Sequence, residues 1–276
     1  MPVNDDTDPL RNVAGDDTTR DTASDDAPRD TASDSAGEQL PVNELFYSLQ
    51  GEGKLAGVPS VFVRTSGCNL RCWFCDSYHT SWEPTHAQLS VDEILASVAD
   101  HDADHVVVTG GEPMIHDGIV TLLERLADRG YHTTVETNGT IYRDAPIDLA
   151  SVSPKLGSST PTADRDPKGD GEWAERHEND RIDIDALAQL ADAYESQLKF
   201  VVTGGDDLSE IEQIVDRVRA AANDPIPDGD VLLMPEGTTR TELDETRQRV
   251  AELAAEHGYR YTPRVHVDVW NDAPGT

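Results

Sequence analysis

The chain has 276 residues, enough for one sizeable core, and a formal net charge of −32 from 54 Asp and Glu against 22 Lys and Arg. Lysine occurs only at Lys54, Lys155, Lys168 and Lys199, and acidic residues run through the whole length. No basic stripe is available to track a nucleic-acid backbone, and no apolar run is long enough to span a bilayer, so direct nucleic-acid binding and membrane insertion are excluded. The expectations are a cytoplasmic location and adaptation to concentrated salt, which screens the self-repulsion of so acidic a chain.

Residues 1–38 hold little apolar content, lack a signal region, and repeat Arg-Asp-Thr-Ala-Ser-Asp at 20–25 and 29–34. Such a segment cannot bury enough surface to offset its ordering entropy, so it reads as a disordered acidic tail. A single folded domain is expected over 39–276, starting near Leu40. Val61-Phe62-Val63-Arg64 reads as a strand. Ser90–Ala99 reads as a helix, with Ser90 as N-cap, Glu93 three residues on, and Ile94, Leu95 and Val98 on one face. A short buried strand, His105–Thr109, precedes an amphipathic helix, Ile119–Arg129, stopped by Gly130. Strands follow at 132–136 and 148–153, a helix at 185–196, a strand at 197–202, a helix at 208–222, a strand at 231–234, and a helix at 241–257 before Gly258. The polar stretch Gly157–Arg181, rich in Asp, Pro and Gly, breaks the rhythm and reads as a loop or surface insertion. Alternating strands and helices predict an α/β fold with a mostly parallel sheet and outer helices. There are too few strands for a closed eight-stranded barrel, so a partial, open TIM-like barrel fits best.

All three cysteines lie in one segment, Cys68-Asn69-Leu70-Arg71-Cys72-Trp73-Phe74-Cys75, a C-x3-C-x2-C pattern. An odd, crowded set is a poor disulfide framework. Two metal sites suit it. Three thiolates can hold three irons of a [4Fe–4S] cluster and leave the fourth open, or they can join His79 in a Cys3His zinc site. One βα unit further on, Thr109-Gly110-Gly111-Glu112-Pro113 ends a strand, where paired glycines let a ligand approach the backbone.

Together these motifs resemble the radical S-adenosylmethionine (SAM) superfamily. That resemblance implies a [4Fe–4S] cluster on Cys68, Cys72 and Cys75. SAM would sit on the open iron, and reduction would cleave it to methionine and a 5′-deoxyadenosyl radical. Phe74, Cys75, Asp76 and Gly111 would lie near SAM, with Glu136, Asn138, Ser153, Pro154 and Lys155 at neighbouring strand ends. Read alone, Glu136 and Asn138 are equally strand-end caps, and Lys155 a solvated charge. The segments Asn43–Gly53, Gly57–Arg64, Cys75–Thr80 and Ser153-Pro154-Lys155 resemble the 7-carboxy-7-deazaguanine synthase (QueE) family, in a halophilic and haloarchaeal form. The resemblance implies a carbon–nitrogen lyase that turns 6-carboxy-5,6,7,8-tetrahydropterin into 7-carboxy-7-deazaguanine and ammonia, for archaeosine or queuosine biosynthesis, with Mg2+ assisting at Ser77. It further implies a flavodoxin- or ferredoxin-type reductant and a homodimer. Leu49, Gln50, Gly51, Glu52 and Thr109 would hydrogen-bond the pterin, and Arg64 would hold its carboxylate. His266, in His266–Trp270, either approaches the substrate or is a plain strand residue. The rivals are another radical SAM enzyme, such as a glycyl-radical activase, and the zinc protein.

Overall fold

The computed structural model describes residues 38–271 and 273, so the tail expected over 1–38 lies, apart from Glu38, outside the described residues. Glu38 already belongs to the fold. Its Oε2 accepts from Thr121 Oγ1 at 2.6 Å and its carbonyl from the Val91 N–H at 3.1 Å.

The strands are β1 (Gln39–Leu49), β2 (Pro59–Thr65), β3 (Ala87–Ser90), β4 (His105–Gly110), β5 (His132–Thr137), β6 (Leu149–Val152), β7 (Ser196–Val202), β8 (Val231–Pro235) and β9 (Arg260–Tyr261). The helices are α1 (Tyr78–Ser81), α2 (Val91–Ala99), α3 (Ile119–Ala127), α4 (Ala174–Asp180), α5 (Ile184–Ala193), α6 (Leu208–Ala221), α7 (Arg240–His257) and α8 (Val265–Trp270). One sheet takes the order β3-β1-β2-β4-β5-β6-β7-β8-β9. From β2 to β9 every pairing is parallel, whereas β1 runs antiparallel to both β2 and β3. The sheet does not close on itself, as expected of a partial barrel.

Alternation along each strand separates two environments. Val61 and Val63, Val106 and Val108, Ala150 and Val152, and Leu198, Phe200 and Val202 point outward into the hydrophobic core beneath the helices. Ile94, Leu122, Leu126, Leu190, Ile211, Val215 and Val250 meet them from the helical side. Each such side chain, fully buried, contributes roughly 1.5–3 kcal/mol. The alternate positions face the barrel interior and carry two polar networks, Ser60–His105–Thr134 and Gln197–Ser151–Glu136–Lys199, beside apolar Phe62, Val201 and Met234.

Helix ends follow their sequence signals. Ser90 Oγ accepts from the Glu93 N–H, and the Glu93 carboxylate accepts from the Ser90 N–H at 2.7 Å, which is the expected capping box. A second box, Thr239 with Glu242, opens α7, and Gly258 closes it in the left-handed region at φ 73. Three sequence expectations change. Asn43–Leu49, read only as a motif, is part of an eleven-residue strand. His266–Trp270 is helical, since α8 turns the chain back after β9. The stretch 157–181 is not bare loop, because it carries α4. No helix among the described residues is long and apolar enough to cross a membrane.

Candidate active site

A cavity of about 500 Å³ occupies the barrel interior. Its floor is the β1–β2 connection. There the Gly51 carbonyl accepts from the Val265 N–H at 2.8 Å, and the Gly53 N–H donates to Thr262 Oγ1 at 2.8 Å. The segment thus runs from β1 to the residues after β9, across the open side of the sheet. The His266 ring lies so close over Gly51 that a Cβ there would fall 1.8 Å from Nδ1. The rim is formed by loops leaving the carboxyl ends of the parallel strands, where α/β folds place their ligands.

The cysteine loop leaves β2 and is pinned by β4. A Cβ on Gly110 would meet the Thr65 carbonyl at 2.0 Å, and one on Gly111 the Gly67 carbonyl at 2.1 Å. The Gly111 and Glu112 N–H groups donate to Thr65 O at 3.1 Å and Gly67 O at 2.8 Å. The paired glycines therefore hold the cysteine loop as well as lining the cavity. Glu112 is fully buried, and burial raises its pKa. Its carboxyl accepts from the Asn138 N–H at 2.6 Å, Thr137 Oγ1 at 2.8 Å and the Met114 N–H at 3.0 Å, tying this strand end to the next.

Burial, reinforced by Glu112 at Cys68 and by Asp76 at Cys75, pushes both thiols up to about 12, and burial also raises Cys72. Such thiols become thiolates only beside strong positive charge, which clustered irons supply. Among the described residues no three His, Cys, Asp or Glu side chains converge to hold a single metal ion. His79 instead stands 3.8 Å from Glu44 Oε2. With His79 beside Glu44, the three thiols lack the fourth ligand of a Cys3His zinc site, whereas a [4Fe–4S] cluster with one open iron needs only the three.

Beneath the cysteines lies a chain of charges, buried at Lys199 and Arg264, part-buried at Glu52 and Glu136, and exposed at Asp76. Glu52 Oε2 is 2.6 Å from Lys199 Nζ, and Glu52 Oε1 is 3.0 Å from Arg264 Nε. Lys199 also meets Glu136 Oε2 at 2.8 Å, and Arg264 pairs through Nη2 with Asp76. Gln50 Nε2 donates to Glu136 Oε1 at 3.1 Å and Ser151 Oγ to Glu136 Oε2 at 2.9 Å. Burial alone would raise the Glu52 pKa, but Lys199, Arg264 and His266 outweigh it and hold the carboxyl well below its usual range. Asp76 is lowered too, burial being overcome chiefly by Arg264. His266 goes down on burial and lies 3.9 Å from Glu52.

At the rim, Arg64 Nη1 donates to Ser77 Oγ at 2.6 Å, and its Nε lies 2.9 Å from Glu44 Oε2. Ser77 Oγ in turn donates to Asp76 Oδ1 at 3.2 Å. Lys155 Nζ donates to Ser153 Oγ at 2.8 Å, and Asn138 Nδ2 to Asn69 Oδ1 at 2.9 Å.

Of the sequence-derived candidates, Leu49, Gln50, Gly51, Glu52, Arg64, Cys68, Cys72, Phe74, Cys75, Asp76, Ser77, Thr109, Gly111, Glu136, Asn138, Ser153, Lys155 and His266 all line this one cavity. Pro154 does not, and serves as the turn between two that do. Sequence reasoning passed over Lys199, Arg264, Glu112 and Glu236. Lys199 carried a signal, being a lone cation amid Leu198, Phe200 and Val201 in a chain with four lysines.

An open α/β barrel with three thiols over the carboxyl ends of its strands defines a class, and residues 62–155 match the radical SAM superfamily. Similarity extends well beyond that core. The chain is 68% identical to 7-carboxy-7-deazaguanine synthase of Halobacterium salinarum over 277 residues, covering 100% of both chains. It is 42% identical to the synthase of Rhodopirellula baltica over 238 residues, covering 86% of this chain and 89% of that one. The crystal structure of QueE from Escherichia coli shares the fold with a TM-score of 0.61 at 24% identity, covering 83% of this chain and 95% of that one. The chain belongs to the 7-carboxy-7-deazaguanine synthase family of radical SAM proteins, and that superfamily implies a [4Fe–4S] cluster and SAM.

Proposed function

We propose that this chain is a radical SAM lyase that converts 6-carboxy-5,6,7,8-tetrahydropterin to 7-carboxy-7-deazaguanine and ammonia, within 7-deazapurine biosynthesis. The observation that carries the reading is the cavity itself. Its inner wall presents carboxylates, an amide and two buried cations directly beneath three thiols, and the family similarity covers the full chain.

In this reading Cys68, Cys72 and Cys75 hold the cluster. Phe74, Asp76, Gly111, Asn138, Ser153, Pro154 and Lys155 line the SAM side. A cluster with one open iron and SAM upon it supplies a one-electron route to hydrogen abstraction. Gln50, Glu52, Thr109 and the backbone of Leu49 and Gly51 read the amide and amino edge of the pterin, with His266 alongside. Glu136 belongs with them, because Gln50 and Lys199 fix its carboxylate deep in the barrel. Arg64 takes the substrate carboxylate. Mg2+ prefers oxygen ligands and keeps several waters, and Ser77 Oγ beside Asp76 offers such a place. That hydroxyl now accepts from Arg64, so the ion fits once Arg64 turns to the substrate. A flavodoxin- or ferredoxin-type reductant and a homodimeric state complete the reading.

The test is anaerobic reconstitution, followed by assay with 6-carboxytetrahydropterin, SAM and a reductant. The expected products are 7-carboxy-7-deazaguanine, ammonia and 5′-deoxyadenosine. Cys72→Ala should take up little iron and sulfide and form no 5′-deoxyadenosine. Turnover by a metal-depleted sample, or by Cys72→Ala at the wild-type rate, would sink the cluster assignment. Full cluster uptake and SAM cleavage without pterin conversion would sink the substrate.

A further inference from the structure

The proposed chemistry leaves two buried histidines unused, His105 beneath the cavity and His177 beside the cysteine loop, and only His177 touches that loop. His177 lies on α4, in the stretch whose composition reads as surface loop, yet its ring is fully buried. Its Nδ1 accepts from the main-chain N–H of Arg71 at 3.1 Å, inside the Cys68–Cys72 span. Its Nε2 lies 2.9 Å from Ser159 Oγ, which donates to the Leu156 carbonyl at 2.6 Å. The Arg71 amide fixes the tautomer: Nδ1 carries the lone pair, and Nε2 carries the proton that goes to Ser159. Burial, with Arg181 beside it, pushes the His177 pKa down to about 4, so the accepting neutral ring persists at neutral pH.

The surrounding contacts run the same way. Trp73, next to Cys72, donates through its N–H to Ser159 O at 3.1 Å and through Nε1 to Ser158 O at 2.7 Å. Two guanidinium groups lie over the Trp173 ring, Arg71 at 4.3 Å and Arg176 at 4.9 Å from its centroid, and Arg165 lies over Trp73 at 5.2 Å. Arg181 donates to Lys155 O at 3.0 Å and pairs with Glu210 on α6 at 2.6 Å. The stretch is thus fastened to the cysteine loop, to the exit of β6 and to a core helix.

We propose that residues 157–181 form a fitted cap on the cysteine loop and that His177 is the positioning residue that locks it. Through the Arg71 amide it sets the Cys68–Cys72 backbone before metal is present. Once the cluster is built, the cap limits access of water and oxygen to it. This second part rests on the cluster reading above.

The experiment compares wild type with His177→Phe, which fills the space but accepts nothing, and His177→Asn, which presents an oxygen where Nδ1 stands. Amide hydrogen exchange of the metal-free protein in concentrated salt reads the lock directly. Exchange over residues 69–73 should rise about tenfold in His177→Phe, the cost of one buried hydrogen bond, and return toward wild type in His177→Asn. On reconstituted samples the cluster of His177→Phe should bleach faster in air and shift in midpoint potential, with His177→Asn restoring both. Unchanged exchange over 69–73 in a folded His177→Phe overturns the positioning role of His177. Faster exchange with unchanged bleaching and potential overturns the cap over the cluster. If His177→Phe does not fold, Trp173→Ala takes its place with the same expected directions, and wild-type behaviour there overturns the proposal. A wild-type protein that takes up no iron and sulfide refutes the cluster instead, while the metal-free exchange still decides the lock.

Discussion

Lys199 and Phe200 are neighbours in the chain and lie on opposite faces of β7. Phe200 points outward into the core beneath the helices and is fully buried. Lys199 points inward, is 3% exposed, and is held by Glu52 and Glu136. The same division runs round the sheet from β2 to β8. The outer face is apolar and held by dispersion and the hydrophobic effect. The inner face mixes apolar side chains such as Phe62, Val201 and Met234 with polar and charged ones, and the charges are held there because each has a partner, since an unpaired ion in such surroundings is costly. An inner face built this way contributes little net stability and a great deal of preorganised charge, which is what a site for a polar heterocycle needs.

Substitutions at the two neighbours break the comparison in different ways. Lys199→Met strips Glu52 and Glu136 of their shared cation and should cost about 3–5 kcal/mol of stability. It should also abolish pterin conversion even in the folded fraction at saturating salt. Phe200→Ala leaves a cavity and should cost a similar 3–5 kcal/mol. Its folded fraction, however, should turn over normally. Urea unfolding at constant salt, with activity per folded molecule, separates the two. Normal turnover in folded Lys199→Met would move the substrate out of the barrel interior.

How much was legible in the sequence follows from the same division. The outer face writes itself as apolar periodicity, so β4, β5, β7 and the helices α2, α3, α6 and α7 are readable within a few residues. Capping chemistry is local, so the Ser90–Glu93 box is readable too. The rim motifs are contiguous, so Cys68–Cys75 and Gly110-Gly111 stand out. Pairings across the barrel do not. Glu52 and Arg264 are 212 positions apart, and nothing near either names its partner. Of the two readings left open for His266, the strand came from the alternation of Val-His-Val-Asp-Val, whereas the residue lies on α8 with its ring over Gly51. His177 was hidden by its loop-like surroundings, since polar composition does not show which polar residue turns inward.

Arg64 sharpens the comparison at the rim, where the inner face meets solvent. Arg64→Lys keeps the charge but loses the fork that can hold a carboxylate, so substrate affinity should fall roughly ten- to a hundredfold, or about 1.5–3 kcal/mol. Uncoupled SAM cleavage should persist. Measuring pterin affinity and 5′-deoxyadenosine on one reconstituted sample checks both. Unchanged affinity with SAM cleavage lost would assign Arg64 to the SAM side.

The smallest effect belongs to the bottom layer of the inner face, where polarity carries no charge. His105 is buried there, with Nδ1 2.7 Å from Ser60 Oγ and Nε2 2.8 Å from Thr134 Oγ1. Burial, with His132 adding to it and Asp148 opposing, brings its pKa from 6.5 down to about 4. Between those values the unfolded chain binds the proton and the folded one does not. The stability His105 contributes is therefore complete above about pH 6.5 and is lost as pH falls toward 4. His105→Gln can still donate and accept but does not titrate. At pH 7 it should unfold near the wild-type urea midpoint with normal turnover, since His105 does not line the cavity. Between pH 7 and pH 5 it should lose on the order of 1–2 kcal/mol less stability than wild type. The acid loss that remains comes from His177 and from carboxylates held low, such as Asp76. Equal slopes in the two proteins would mean that His105 is protonated in the fold, and that the inner face carries charge down to its lowest layer.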